Sequence, residues 1–435
     1  MALRGETTHD QDPPRTGETG TPRLILLFSG TTLLRKPSAL SIGGAARVLG
    51  RSADQLHPLL GEDNRMSREH AEVWLDPARG ETLIRDKGSR NGTFVNGLPI
   101  TQTALRDGDV VRLGNTLFLF RTASAPPGDG PPGRLLGGSA AMMRLRHTLS
   151  RVAPTSASIL FLGETGTGKE VASRYVHDLS RPGRPFVAVN CTAIPDTLAE
   201  SQLFGHTKGS FTGATPHAGF FRAAGNGTLL LDEIGDLSLS LQPKLLRVLE
   251  ERLVFPVGSV VGQPLEARLL FSTNRNLLDA VRAGTFRADL YSRIAEVVVE
   301  LPPLCERRED LFLLLQHSSH SEPTLHLPPS LAERMLLHAW PFNVRELVKL
   351  AAELIATGDA ESIEARLRSQ KPFSLSTSVS KPGPALSDGK HRQLLELLQS
   401  HKGNVAAVAR DMGCPRKNIY RWLEELNLDL AAFRE

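Results

Sequence analysis

The stretch LFLGETGTGKE, Leu160 to Glu170, decides the fold of the middle of this chain. An apolar run ends at Gly163, a turn carries Glu164, Thr165, Gly166, Thr167 and Gly168, and Lys169 and Glu170 open a helical stretch. Glycines let backbone N–H groups wrap a phosphate, the helix N-terminus adds its dipole, and a lysine offers a cation to β- and γ-phosphates. Loops of this kind usually follow the lysine with Ser or Thr, whose hydroxyl ligates Mg²⁺; here Glu170 stands there. Further along, GTLLLDEIGD ends an apolar strand at Asp232 and Glu233. An aspartate at such a strand tip holds Mg²⁺ through water, and the next carboxylate polarises an attacking water. The two motifs in this order predict ATP hydrolysis with ATP and Mg²⁺ bound.

Outward from these motifs, the runs SILFLG, FVAVN, GTLLLDEI and RLLFSTN alternate with amphipathic helical stretches, the pattern of a parallel α/β sheet. Two Pro/Gly-rich linkers, 122–134 and 371–389, separate this block (135–370) from its neighbours. Residues 1–22 are polar and rich in Thr, Gly and Pro, which predicts a disordered tail. Block 23–121 is a series of short β patterns (RLILLF, RVLGR, AEVWL, ETLIRD, TFVNG, VVRLGNTLFLF) broken by turn residues, which predicts a β-sandwich. Block 390–435 reads as helical. The fold class is therefore multidomain: all-β, then α/β with a small helical lid from about 305, then all-α.

Composition excludes several classes. No apolar run reaches the roughly 18 residues of a membrane span, and the polar start lacks a signal-peptide core, so a cytoplasmic protein is expected. The cysteines, Cys191, Cys305 and Cys414, are far apart and read as reduced thiols. The net charge of +4 is mild, so binding to nucleic acid requires a local basic cluster.

The ordered segments ETGTGKE, VNC, LFGHTKGSFTGA, GTLLLDEIGDL, KLLRVLEE, STNRNL, FRADLYSRI, LPPLCERRED and WPFNVREL resemble the AAA+ domain of the sigma-54-dependent transcriptional activators, the bacterial enhancer-binding proteins. In that family Glu follows the P-loop lysine, so Glu170 fits it. The resemblance implies that Asn274 is the sensor amide reading the γ-phosphate. It implies that Asn190 is the partner holding Glu233 away until the nucleotide state changes. Arg287 and Arg293 become arginine fingers for a neighbouring subunit's ATP, and Arg345 the second sensor on the lid. Fingers given in trans imply a hexameric ring when active, from a dimer at rest. Phe211, Thr212 and Gly213 match the loop that contacts sigma-54 RNA polymerase, which ATP turnover remodels from the closed promoter complex. Gln202, Thr207, Ser210, Phe342 and Cys305 depart from the family's usual residues, none of them at an inferred phosphate or magnesium contact.

In the first block GRS (Gly50–Ser52), SREH (Ser67–His70) and GSRNGTFVNG (Gly88–Gly97) resemble the forkhead-associated (FHA) domain, a phosphothreonine reader. By position Arg51 pairs with phosphate, Ser67 donates its hydroxyl, and Arg68, Arg90 and Asn91 contact phosphate or peptide backbone. His70 and Asn96 are expected to brace loops. The implied partner is a phosphothreonine protein, a Ser/Thr kinase or its substrate. No aspartate-pocket receiver domain is evident, so a two-component relay onto this chain is not expected.

The last block, with Ala406, Ala407 and Ala409 before the turn MGCP and a second amphipathic helix, resembles a Fis-type helix-turn-helix. Arg416, Lys417, Asn418, Tyr420 and Arg421 face outward on that helix and suit the phosphates and base edges of double-stranded DNA at an upstream site. His317, His320 and His326 lack metal-ligand spacing and read as part of a polar loop. Two other functions stay open on the residues alone. One is a DNA-binding regulator or repressor that hydrolyses ATP without acting on sigma-54; the other is a chelatase-like remodeller.

Overall fold

The run RLILLF contains no polar residue after Arg23 to mark an outer face, and the folded chain leaves it none. The computed structural model describes residues 19–53, 59–123, 133–207, 217–318 and 326–369, with a few positions between 397 and 412. RLILLF lies in β1 (Thr19–Ser29), paired antiparallel with β2 (Thr32–Ser41) and with β10 (Thr116–Ala123). The strands β3 (Arg47–Leu49), β4 (Ala71–Asp76), β5 (Glu81–Asp86) and β8 (Gln102–Leu105) form one sheet in the order β3-β4-β5-β8. The other runs β2-β1-β10-β9-β6-β7, with β6 (Thr93–Val95), β7 (Leu98–Ile100) and β9 (Val110–Leu113). A short helix α1 (Leu59–Glu62) completes the sandwich.

The expected tail 1–22 is corrected at its end: residues 19–22 belong to β1, because Thr19 pairs with Ala123 across the sheet. The same pairing carries β10 past the expected boundary at 121. Strand β2 was not anticipated. Its LRKP centre breaks the apolar pattern, which an edge position tolerates because its outer backbone groups face no partner strand.

The middle block has the expected parallel sheet, in the order β12-β13-β16-β11-β17. These are β11 (Ile159–Leu162), β12 (Phe186–Asn190), β13 (Thr228–Asp232), β16 (Arg268–Thr273) and β17 (Val297–Glu300); β14 (Leu253–Val254) and β15 (Gln263–Pro264) make a small hairpin. Helices α2 (Ala140–Val152), α3 (Lys169–Ser180), α4 (Asp196–Phe204) and α5 (Gly219–Ala223) come before β14. So does α6 (Gln242–Glu251); α7 (Leu277–Arg282) and α8 (Ala288–Ile294) follow β16. Successive strand residues alternate faces, so Leu229, Leu231 and Phe271 enter one core while Leu230, Leu270 and Phe161 enter another. Burial on both faces is what a parallel sheet covered by helices requires. No described helix is long and apolar enough to cross a membrane.

The lid comprises α9 (Leu311–Ser318), α10 (Pro329–Leu337), α11 (Asn343–Thr357) and α12 (Ala360–Ser369). It does not have a core to itself. Leu24, Leu26, Phe118 and Phe120 fill the sandwich. Their strand neighbours Ile25, Leu27, Leu117 and Leu119 point the other way, into a cluster with Phe312, Leu315, Met335 and Leu336 of the lid. Residues to Phe373 form one compact unit and the remainder a second. The DNA-reading residues expected at 416–421 lie outside the described residues.

Candidate active site

The P-loop bridges β11 and α3, and its glycines are there for backbone geometry. Gly166 (φ +83°) and Gly168 (φ +104°) hold left-handed conformations. A Cβ on Gly166 would stand 2.1 Å from the Phe342 carbonyl, because the lid backbone packs against the loop at that point. Lys169 is buried (7% exposed), donates from Nζ to the Gly163 carbonyl at 2.9 Å and lies 3.7 Å from Glu233 Oε1. Glu170 faces outward and accepts from Arg174 Nη2 at 3.0 Å. Asp232 ends β13 and accepts from Ser272 Oγ at 2.6 Å. Glu233 follows with φ +52°, a left-handed conformation that costs a non-glycine residue about 1–3 kcal/mol. Its Oε2 accepts the Asn274 backbone N–H at 3.1 Å, and Asn274 Nδ2 donates to Thr165 Oγ1 at 3.2 Å. The structure thus brings together the P-loop, the strand-tip carboxylates and Asn274.

Asn190 arrives beside them, in register with Asp232 across the sheet. Its Oδ1, however, accepts from Thr192 N and Oγ1, at 2.9 and 2.6 Å. Glu233 is held by Asn274 and Lys169 rather than by Asn190. Arg345 is exposed at the start of α11 and lines the same cavity. Arg287 pairs with Asp289 at 2.6 Å, and both Arg287 and Arg293 are solvent-facing and line neither of the two cavities beside the P-loop. Burial, then the charges of Asp232, Asp236 and Glu233, push the Cys191 thiol up to about 12, so it stays protonated at neutral pH.

Two adjoining cavities of about 580 Å³ each share Gly168, Val171, Val344 and Val348. One is walled by Leu135, Leu136, Leu314 and Val344 and suits an aromatic base. The other is walled by Lys169, Asp232, Glu233 and Arg345 and suits phosphates with a divalent cation. An apolar chamber joined to a charged one across a P-loop glycine fits a nucleoside triphosphate.

Sequence reading passed over the residues that seat the lid on this loop. Asn343, fully buried with φ +52°, donates from Nδ2 to Glu164 Oε2 (2.9 Å) and the Thr165 carbonyl (3.2 Å) and accepts the Leu304 N–H (2.7 Å). Val344 N–H reaches the Gly166 carbonyl at 3.0 Å, and Arg307 Nη2 the Thr167 carbonyl at 2.8 Å. The signal lies in NVREL, where Asn343 stands two residues before Arg345. Phe342 takes φ −112°, so its side chain imposes no left-handed strain.

Phe211, Thr212 and Gly213 lie outside the described residues, but the neck of their loop is clear. His206 and His217 exchange backbone hydrogen bonds (3.0 and 3.1 Å), and their rings stack with centroids 5.8 Å apart. Gly205 and Gly219 permit this approach; a Cβ on Gly219 would sit 2.3 Å from the Gly205 nitrogen.

At one end of the sandwich the expected phosphothreonine residues share a bonded loop cluster. Arg51 N–H meets the Ser67 carbonyl (3.0 Å), Ser52 N–H the Arg68 carbonyl (3.1 Å), and Arg90 N–H the Ser67 Oγ (3.1 Å). Asn91 Nδ2 donates to the Arg65 carbonyl at 2.6 Å. Gly50 admits the close approach, since a Cβ would stand 2.2 Å from the Arg68 oxygen. Arg51 Nε is buried with no hydrogen-bond partner among the described residues, leaving a donor for an anion. His70 and Asn96 brace: His70 Nδ1 accepts the Ser67 N–H and Nε2 meets the Gly92 carbonyl, while Asn96 ties Asp109 to Val110.

Asp86 was missed by sequence reading. It receives hydrogen bonds from Gly88 N, Ser89 N, Ser89 Oγ and Thr93 Oγ1. Burial alone would raise its pKa, but those donors outweigh it and hold the carboxyl below the usual aspartate range. A depressed folded-state pKa contributes stability above the unfolded value, about 3.9, that is lost as pH falls through the folded one. The melting temperature of Asp86→Asn should therefore lie below wild type at pH 7, with the gap closing in acid. A gap independent of pH would place the effect outside ionisation.

Comparison with known proteins places both ends of this geometry. The sigma-54 interaction domain family matches residues 135–300 and the FHA domain family matches residues 47–114. The chain is 39% identical over 302 residues to the transcriptional regulatory protein GlrR of Escherichia coli strain K12, covering 68% of each. It is 37% identical over 342 residues to the putative uric acid sigma-54-dependent transcriptional regulator UacR of the same organism, covering 71% of this chain and 56% of that one. Among solved structures, NtrX from Brucella abortus in complex with ADP matches at 30% identity and a TM-score of 0.50, covering 68% of this chain and 70% of that one.

Proposed function

The chain belongs to the sigma-54-dependent transcriptional regulators, and from that premise we propose that it hydrolyses ATP to open sigma-54 promoters under control of phosphothreonine recognition by its FHA domain. The observation that carries this reading is the convergence of Lys169, Asp232, Glu233 and Asn274 on a charged cavity beside an apolar one. Lys169 neutralises charge on the β- and γ-phosphates, with Gly166, Thr167 and Gly168 supplying backbone donors. Glu233 orients and polarises the attacking water, and Asn274 bridges it to the P-loop. Asp232 would hold Mg²⁺, which when bound would neutralise phosphate charge. Arg287, in an exposed pair with Asp289, and Arg293 face solvent away from this charged cavity, which supports their reaching a neighbouring subunit's nucleotide in a ring, by analogy a hexamer that assembles from a resting dimer.

In this reading Phe211, Thr212 and Gly213, in the segment between the paired His206 and His217, meet the sigma-54 polymerase. Arg416, Lys417, Asn418, Tyr420 and Arg421 hold upstream double-stranded DNA. The buried Arg51 Nε, with Ser67, Arg68, Arg90 and Asn91, supports a phosphothreonine protein as the input, a Ser/Thr kinase or its substrate. A cytoplasmic location follows from these partners.

Transcription in vitro from a sigma-54 promoter with an upstream site tests the proposal. Wild type should give ATP-dependent open complexes and Thr212→Ala none, with ATPase and DNA binding kept. A wild type that hydrolyses ATP and binds the site, yet opens no promoter with or without a phosphorylated partner, would leave a DNA-binding ATPase that does not act on sigma-54.

A further inference from the structure

Helix α9 has two occupied faces. Leu311, Phe312, Leu314 and Leu315 enter the core shared with the FHA sheet, and Leu314, His317 and Ser318 line the apolar cavity beside the P-loop, so Leu314 belongs to both. At 3.6 residues per turn the two sets fall on adjoining sides of the helix and meet at Leu314. The same helix therefore touches the sandwich on one side and the candidate base pocket on the other.

Polar contacts tie the sandwich to the lid and to the joint where the lid meets the sheet domain. Arg112 of β9 lies over the Phe94 ring at 3.8 Å and pairs with Glu333 of α10 at 3.0 Å, the two side chains 22% and 11% exposed. Arg121 of β10 pairs with Glu309 at 2.6 Å and donates to the Glu306 carbonyl at 2.8 Å. Arg308 Nη1 donates to the Gly108 carbonyl at 3.0 Å, and Gln316 Nε2 to the Leu33 carbonyl at 3.3 Å. Residues 306–309 precede α9, and Arg307 among them reaches back to the Thr167 carbonyl of the P-loop. The lid cannot rotate against the sheet domain without carrying the sandwich along or breaking an apolar core.

We propose that the FHA domain clamps the lid of its own ATPase, so that the sandwich–lid contact sets how tightly nucleotide is held. The docked lid supplies Leu314, Val344 and Val348 to the pocket walls; a lid released from the sandwich spends part of its time elsewhere. Apparent affinity falls by the fraction of molecules with the pocket assembled. By linkage, nucleotide must tighten the sandwich–lid contact by the same factor. This inference rests on the nucleotide-site reading and not on phosphothreonine recognition.

The test uses the full chain and a fluorescent ADP analogue. Arg112→Ala and Glu333→Ala should each weaken binding roughly fivefold or more, the lower end of measured site-to-site couplings. The double variant should be no weaker than the worse single one, since both remove the same contact. Equal affinity in both folded single variants, or fully additive losses, overturns the clamp. Lys169→Ala controls for the site itself. If it abolishes binding while the clamp variants bind normally, the site stands and the clamp falls; if it binds normally, both fall. Should the variants fail to fold, hydrogen exchange on wild type decides: saturating ADP should slow exchange in β9 and β10, and unchanged exchange there overturns the proposal.

Discussion

Glu233→Gln should leave nucleotide bound and stop its hydrolysis. The substitution is isosteric, and the amide oxygen can still accept the Asn274 N–H that Oε2 accepts at 3.1 Å. It removes the charge that polarises water, and general-base contributions of this kind run to about 10²–10⁴ in rate. Binding should be equal or tighter, because Lys169 loses the carboxylate 3.7 Å away that competes with phosphate for its charge. Steady-state phosphate release and titration with a fluorescent ADP analogue separate the two effects. Hydrolysis within tenfold of wild type would remove Glu233 from the chemistry and return attention to Asp232, the other carboxylate of the strand tip lining the same cavity.

Phe312→Ala should destabilise the sandwich and the lid together. The side chain is 2% exposed, and its ring centroid lies 6.1 Å from that of Phe28 on β1. Removing a buried phenyl group costs about 3–5 kcal/mol through lost transfer energy and the cavity left behind. Because Ile25, Leu27, Leu117 and Leu119 share that cluster, the loss is felt on both sides of the boundary. Hydrogen exchange should accelerate in β1 and in α10 by comparable factors. Faster exchange confined to the lid would mean that the two modules keep separate cores. The shared core also bears on truncation: cutting the chain after residue 121 uncovers Leu315, Met335 and Leu336, an apolar patch of the kind that promotes association. Point substitutions at Arg112 or Glu333 are the cleaner way to separate the FHA domain from the ATPase.

Much of the candidate site was legible because its parts are local. A strand that ends in glycines before a lysine-led helix can fold in few ways, so LFLGETGTGKE identified the phosphate loop unaided. DEIGD and STN mark the tips of β13 and β16, and parallel strands in one sheet bring their C-terminal ends to one edge, where the P-loop also lies. GRS, SREH and GSRNG likewise stay close to short strands. Asn190 lines the charged cavity, but its hydrogen-bond partner depends on a side-chain rotamer that no spacing encodes. Asp86 escaped notice because its significance lies in donors from its own turn, and an Asp at a strand end is otherwise unremarked.

The sequence by itself determined a β-rich block ahead of an α/β one and the P-loop with its strand-tip carboxylates; LILLF and LFLF also run apolar where a one-sided strand would alternate, which leaves both faces of β1 and β10 to be covered. What covers the second face was decided only by the tertiary structure. Apolar surfaces are chemically interchangeable, and no residue in β1 specifies α9 and α10 over any other greasy helix. The same holds for Asn343 on the P-loop and Arg112 on Glu333, whose partners lie far along the chain. Such contacts arise from how whole elements pack, and packing is a property of the assembled surfaces.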